Sequence, residues 1–507
     1  MYEEDYVDVH KDGEYTALLL RKQSCPPCSL CILRVLCGKV VNHGEHRVGT
    51  EVTEQFVFPS VFLYIGHKQR LQHIPAHAGT ESPSHHSMTF KGLEPWRKTL
   101  YVIWLSQFIT MVGMSLVIPF LPFYVRDLGV TDPDEIARWS GLAFSGPFIL
   151  SFFMIPVWGF LGDRYGRKLM VVRAIFGLAI SQALIGLSQN VEMLFLFRML
   201  QGAISGFIAA SLAMVSANAP REKVGYAIGL LQTSTASGNI IGPLVGGSLA
   251  DAFGYRPLFF LVAGICTAAG ILVIKMVKED AASIIHKGEQ HSLFSNYRYA
   301  FKSVNIRVAL FVILLSQAAV MMIQPIFALY IESLASDQTL IATLTGAIFS
   351  IAGFFMVISS PWWGKRNDIK SYRKNLTIAI SGAAVAYVAQ GFAQSPYHLL
   401  PLRALQGLCM GGILPTLYSY VSKHTELARR GGIMGIASSF QTLANMVGPI
   451  TGGYVAAANG LRGNFFLAGG ALAATVIFVR FFFTDPPGRT EEALPYVTQI
   501  DSTSEGQ

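Results

Sequence analysis

Three groups of residues in this 507-residue chain have chemistry to offer. The first is Cys25-Pro-Pro-Cys-Ser-Leu-Cys31, with Cys37 beyond it, soft ligands of the kind that hold zinc or an iron–sulfur cluster. The spacing fits neither, and no second ligand pair sits at finger distance, so the reading is no metal and no cofactor. The second is Asp163, the one acid in the stretch Gly159–Lys168, set among Arg164, Arg167 and Lys168 and flanked by Gly162 and Gly166. A carboxylate so placed can accept hydrogen bonds from the N-terminal amides of a nearby helix. The third is a pair of arginines, Arg198 and Arg403, each inside an apolar run, where a guanidinium costs about 3 kcal/mol unless it is paired or reaches the interface. Two roles stay open for them: bonding to carbonyls or glutamines of the first helix, or offering charge to an anionic substrate or a proton step. No His-Glu-x-x-His pair, Walker loop, nucleophile–base set or paired intramembrane acids occurs, so catalysis has no visible residues and the chain is not read as an enzyme.

The elements that must hold these groups are membrane helices. The chain is 52% hydrophobic and only 14% charged, against about 25% charged in soluble domains. Runs of roughly 20 apolar residues, enough to cross the hydrocarbon core as a helix, recur after Arg97. They fall near 99–124, 139–161, 168–188, 191–217, 224–250 and 255–277, then 306–331, 340–363, 374–393, 396–420, 430–456 and 462–484. The alternating ten-residue segments of an outer-membrane barrel are absent from the sequence.

The twelve runs are two copies of six. Pro156, Trp158, Gly159 and Asp163 return as Pro361, Trp363, Gly364 and Asp368, offset by 205. Arg198-Met-Leu-Gln-Gly202 returns as Arg403-Ala-Leu-Gln-Gly407 at the same offset. Asn239-Ile-Ile-Gly-Pro-Leu-Val-Gly-Gly247 returns as Asn445-Met-Val-Gly-Pro-Ile-Thr-Gly-Gly453, and Gly254-Tyr-Arg as Gly460-Leu-Arg, both offset by 206. One register held through separated blocks is a tandem duplication. The expected fold is an all-α membrane protein, twelve transmembrane helices in two pseudo-twofold-related six-helix bundles.

Charge placement orients it. With the N-terminus inside, the inner links carry nineteen Lys and Arg and the outer links four, Arg126, Arg138, Arg256 and Arg462. By the positive-inside rule both termini are cytoplasmic. The formal net charge of +8 therefore reports orientation, and nucleic acid is not an expected partner. Expected divisions are an extension 1–87, a first bundle 88–280, a linker 281–305, a second bundle 306–484 and a tail 485–507. The extension holds eight of twelve histidines and four of six cysteines, with no run long enough to span. It reads as disordered or as upstream sequence translated in error, so a product starting at Met88 is expected to be fully active.

In the fifth run Gly238, Gly242 and Gly246 lie at i, i+4 and i+8, a bare ridge that lets backbones pack closely in lipid. Pro243 adds a bend, and the eleventh run repeats the ridge with Ala444, Gly448 and Gly452. Prolines near the outer ends of the first and seventh runs, Pro119, Pro122 and Pro325, suit gating helices that line a cavity.

At these residues the chain resembles the major facilitator superfamily, and within it the twelve-helix drug:proton antiporters of bacteria. The loop Gly159–Lys168 is similar to that family's G-x-x-x-D-R-x-G-R-K loop, Arg198–Gly202 to its fourth-helix arginine motif, and Gly238–Gly247 to its antiporter signature. The resemblance covers about 90–485 and implies a carrier whose two bundles rock about a midplane cavity. It implies a gating loop of Gly159, Asp163, Arg164, Gly166, Arg167 and Lys168, locking the outward-open state against the eleventh helix near Gly431 and Gly432. By symmetry, Asp368 would face the start of the fifth helix near Gly225. It implies a packing hinge of Gly238, Gly242, Pro243, Gly246 and Gly247 with Gly448, Pro449, Gly452 and Gly453.

Candidates for the substrate or proton pathway are Gln107, Met111, Arg198, Gln232, Gln317, Gln324, Arg403 and Gln441. The expected function is proton-driven efflux of small amphiphilic compounds across a bacterial inner membrane by a functional monomer. The alternatives are export of one metabolite such as a siderophore, symport, or, from another class, a channel or membrane enzyme. Every acid between Asp127 and Glu426 falls in a loop or at a span end, which points to neutral or anionic substrates.

Overall fold

The computed structural model describes residues 5–11, 14–20, 94–204, 206–220, 223–277, 293–426 and 429–485. They belong to two compact units, divided between His85 and His86. In the first, strands Asp5–Lys11 and Glu14–Leu20 pair antiparallel, with Asp5 opposite Leu20 and Lys11 opposite Glu14. The cysteine cluster, Met88, linker residues 281–292 and the tail beyond Asp485 lie outside the described residues.

The second unit is helical, and eight of its described segments are long and apolar enough to cross a bilayer. The first span, Pro95–Asp127, bends through a short 3-10 turn at Ile118–Phe120. Spans two, three and six are Pro133–Tyr165, Arg167–Gly186 and Tyr255–Met276. The fourth is broken into Val191–Ile204 and Phe207–Asn218. The seventh is likewise Val304–Ile323 followed by Phe327–Leu334, and the eighth is Ile341–Ile369. Arg430–Phe482 runs for 53 residues and holds the eleventh and twelfth crossings, which turn at Gly460. The fifth, ninth and tenth helices, Val224–Phe253, Tyr372–Gly391 and Leu399–Lys423, are of crossing length but more polar, and complete the twelve. A short amphipathic helix, Leu293–Lys302, leads into the seventh.

Three glycine breaks depart from the sequence reading. The fourth run looks continuous because its residues are apolar throughout, yet Gly206 takes a φ of 113° and divides the helix. The fifth and sixth spans meet with no loop, since Gly254 at φ 77° turns the chain in one residue. Gly460 at φ 73° does the same between the eleventh and twelfth. Such φ values are strained for any side chain larger than glycine's, which explains a glycine at both ends of this 206-residue offset.

The duplication is visible bond by bond. Trp158 Nε1 donates to Ala203 O at 2.7 Å, and Trp363 Nε1 to Leu408 O at 2.8 Å. The Tyr124 hydroxyl donates to Ile185 O at 2.9 Å and the Tyr330 hydroxyl to Gln390 O at 2.7 Å. Arg256 reaches Ser188 O as Arg462 reaches Ala393 O. Each pair sits at an offset of 205 or 206, so the copies share side-chain architecture as well as helix order. The two tyrosine bonds are buried and the others partly so, and each satisfies a donor that lipid could not.

Candidate transport pathway and its gates

The glycine ridges join the first span to the fifth, and the seventh to the eleventh. A Cβ on Gly238 would lie 2.5 Å from Met111 Cβ, one on Gly242 2.6 Å from Ser115 Cβ, and one on Gly246 2.2 Å from Leu116 O. In the second copy, Gly448 and Gly452 meet Ala318 O and Met322 O at 2.7 and 2.0 Å by the same measure. The second glycine of each doublet looks the other way. A Cβ on Gly247 would be 2.3 Å from Ala342 O of the eighth span, and one on Gly453 2.6 Å from Ala137 O of the second. Each Gly-Gly doublet thus holds its own bundle with one residue and touches the opposite bundle with the next. No larger pair serves both approaches.

The contacts between bundles form a seam at one end of the molecule. Gly141 packs on Pro449 O and its counterpart Gly346 on Pro243 O, with Cβ distances of 2.4 and 2.0 Å. Ser350 donates to Ile240 O at 2.6 Å. Asp251, at the end of the fifth span, accepts from the backbone amides of Ala342 and Thr343 at 3.2 and 2.7 Å, and from the Thr343 hydroxyl at 2.6 Å. That carboxylate caps the start of the eighth helix from the other bundle, where unsatisfied amides and the helix dipole favour an anion. Arg126 and Glu332 then make a two-pronged ion pair, Nη1–Oε1 2.8 Å and Nη2–Oε2 2.6 Å. These two residues are symmetry mates, 206 apart, carrying opposite charge.

The other end, where the basic links gather, is open among the described residues. A Cβ on Gly159, Gly225, Gly364 or Gly431 would meet nothing within 4 Å. Phe153 and Val157 on the second span, and Ile358 and Trp362 at the equivalent positions of the eighth, are exposed. Asp368 pairs with Lys423 of its own bundle at 3.8 Å, and the Asp163 side chain lies outside the described residues. Gly166, at φ 98°, divides the second span from the third. Arg164 is exposed beside Tyr165, and Lys168 donates to Ile274 O at 3.1 Å. Arg167 lines a cavity of about 220 Å³ with Trp158, Gly159 and Arg173. Arg173 stacks over Trp158 at 3.4 Å and is a member of this loop region that the sequence reading passed over. A cation in the first turns of the third helix was its only signal. Among the described residues, nothing lies within 4 Å of a Cβ on Gly431, and one on Gly432 faces Asn296 of the linker helix.

The pathway candidates divide by exposure. Arg198 is buried, donating from Nε to Ala143 O at 3.0 Å and from Nη1 to Gln201 at 2.8 Å. Arg403 donates to Gln406 at 3.0 Å and lies 3.5 Å over the Phe327 ring, while Gln406 bonds to the Tyr387 hydroxyl. Both guanidiniums are thus held inside single bundles by carbonyl, glutamine and aromatic partners. Gln107 bonds to Thr235 at 2.8 Å, Gln317 to Asn445 at 3.1 Å, and Met111 is buried beneath Gly238. Gln441 accepts from the Tyr418 hydroxyl at 2.7 Å, and Gln324 is half-buried at the break in the seventh span.

Gln232 is exposed, and so are its neighbour Thr233 and, two turns on, Asn239. Asn239 accepts from Ser115 at 2.6 Å, and Thr233 from Trp104 Nε1 at 2.9 Å. Polar groups at that depth are costly against hydrocarbon, so this strip belongs to a water-filled path between the bundles. Trp104, Thr233 and Asn239 were missed by the sequence reading, although the pairing of Asn239 with Asn445 at offset 206 was a signal for one of them.

Two six-helix bundles related by a pseudo-dyad, sealed at one end and parted at the other, are the architecture of a secondary transporter. Residues 103–389 and 309–500 match the profile of the Major Facilitator Superfamily, and the chain belongs to that family. It is 35% identical over 384 residues to the multidrug resistance protein MdtG of Salmonella typhimurium, a match covering 76% of this chain and 95% of the relative. Its fold resembles that of the human organic anion transporter MFSD10, with TM-score 0.56 at 18% identity, covering 76% of this chain and all of that one. It also resembles a bacterial homologue of the human lysosomal transporter Spinster in an inward-facing, unoccupied conformation, with TM-score 0.64 at 14% identity, covering 77% of this chain and 98% of the other.

Proposed function

We propose that this transporter exports small amphiphilic compounds from the cytoplasm, exchanging them for protons, across a bacterial inner membrane with both termini inside. The observation that carries the reading is the one-sided seam. Assigning the basic links to the cytoplasm supports an inward-facing reading, in which Arg126–Glu332 and Asp251 close the outer gate and the path opens to the cytoplasm. The likeness to MdtG, a multidrug resistance protein, supports multidrug efflux. In the opposite state Asp163, with Arg164, Arg167 and Lys168, would lock the inner end against the eleventh helix. The molecule then needs no oligomer, because each half supplies the other's partner.

Acids in the described residues lie at span ends or in links, so no mid-span carboxylate is available to grip a cation. Neutral or anionic amphiphiles are the fitting substrates. The test is uptake of a panel of labelled compounds into inverted vesicles, with and without a proton gradient, for the wild type and Asp163→Asn. Saturable, gradient-dependent uptake with counterflow is expected, and its loss in the variant. Flux that neither saturates nor shows counterflow would sink the carrier reading. Robust export of a permanently dicationic dye, untouched by substitution of every boundary acid, would sink the substrate class.

A further inference from the structure

The second copy of the basic loop carries cations that the first copy lacks. Arg366, Lys370, Lys374 and Arg480 stand where the first half has Leu161, Tyr165, Leu169 and Ile274. With Arg373, the counterpart of Lys168, they line one pocket of about 480 Å³ at the basic end of the ninth span. Arg373 bonds to Arg480 O as Lys168 bonds to Ile274 O, so the two halves share a backbone frame; the first half has its own cations at other positions, Arg164, Arg167, Arg173 and Lys275, and the second gathers Arg366, Lys370, Lys374 and Arg480.

An anion is already held at this place. Asp485 accepts from the Arg373 amide at 3.2 Å and from the Ser371 hydroxyl, at the start of the ninth helix. Its position is built: Phe483 is buried against Tyr420, and the Tyr420 hydroxyl donates to Thr484 O at 2.8 Å. Among the described lining residues, one carboxylate stands with five cations, a positive excess. Its rim is apolar and open, with Ile378 on the lining and Ile369, Phe481 and Phe482 exposed on the adjoining helix ends. A cationic recess edged by exposed apolar side chains at a span end matches a phosphate with acyl chains beneath it.

We propose that this pocket binds the phosphate headgroup of an anionic lipid of the inner leaflet, beside Asp485. The test uses the full chain in phosphatidylcholine nanodiscs, titrated with phosphatidylglycerol or with inorganic phosphate, and read by lipid retention in native mass spectrometry and by thermal unfolding. Phosphatidylglycerol should be retained and inorganic phosphate should not replace it. Lys370→Gln with Arg480→Gln should weaken retention about 30-fold, from the usual contribution of two interfacial cations. Lys302→Gln with Arg307→Gln, exposed cations at the same end of the molecule, should leave it unchanged. Asp485→Asn, which removes the like charge, should tighten it. Equal loss in both double variants, equal protection by inorganic phosphate, or unchanged affinity in Asp485→Asn would each overturn the proposal.

Discussion

Breaking the ion pair between Arg126 and Glu332 should shift the population toward the state open at the outer end. The pair is partly exposed, 45% for Arg126 and 22% for Glu332, which would ordinarily hold it to the low end of about 0.2–1 kcal/mol. Its two-pronged geometry and short distances place it near the top of that range, at about 1 kcal/mol. Arg126→Gln should therefore raise the ratio of outward- to inward-open molecules about fivefold. Asp251→Asn weakens a helix cap made from the opposite bundle and adds about 1 kcal/mol more, so the double variant should shift the ratio about 30-fold. Spin labels at Leu128 and Ser336, in a cysteine-free background, report the outer gap as a distance distribution. The swap Arg126→Glu with Glu332→Arg should restore the wild-type distribution, because the two positions are exchanged by the pseudo-dyad. An unchanged distribution in the single variant, or a swap that behaves like the single variants, would refute the assignment of this pair as the outer latch.

Other outcomes follow from the same geometry. Gly346→Leu places bulk against Pro243 O, so it should abolish transport and widen the outer gap while the protein still purifies folded. Gly246→Ala and Gly247→Ala should behave differently. The first crowds the Leu116 carbonyl within one bundle and should lower stability by about 1–3 kcal/mol in thermal unfolding, whereas the second crowds Ala342 across the seam and should alter the gap distribution. Arg403→Lys loses the planar stack on Phe327 along with the link to Gln406, and should cost about 2 kcal/mol, a lower melting temperature with no change in coupling to the proton gradient.

Helix number, copy boundaries and the glycine ridges were legible because lipid demands long apolar runs and close backbones demand small residues, and both leave periodic traces. Trp158 and Trp363 could be matched by offset, although their carbonyl partners could not be named without the fold. The break at Gly206 was hidden inside an unbroken apolar run. The pairing of Arg126 with Glu332 was hidden for a different reason. Each looked like a lone charge at a span end, and only the offset of 206 between an acid and a base hinted that they meet on the pseudo-axis. Which end stands open was not legible at all. A chain that must visit two states encodes both, and the sequence does not say which of them a single structure will hold.

The single-residue corners at Gly254 and Gly460 bear on how the molecule can be handled in the laboratory. Neither corner has slack, so an epitope or protease site inserted there would pry apart a helix pair rather than decorate a surface. The links 128–132 and 335–340 offer the room those corners lack, and a tag displayed at either would report on sidedness without tearing a hairpin.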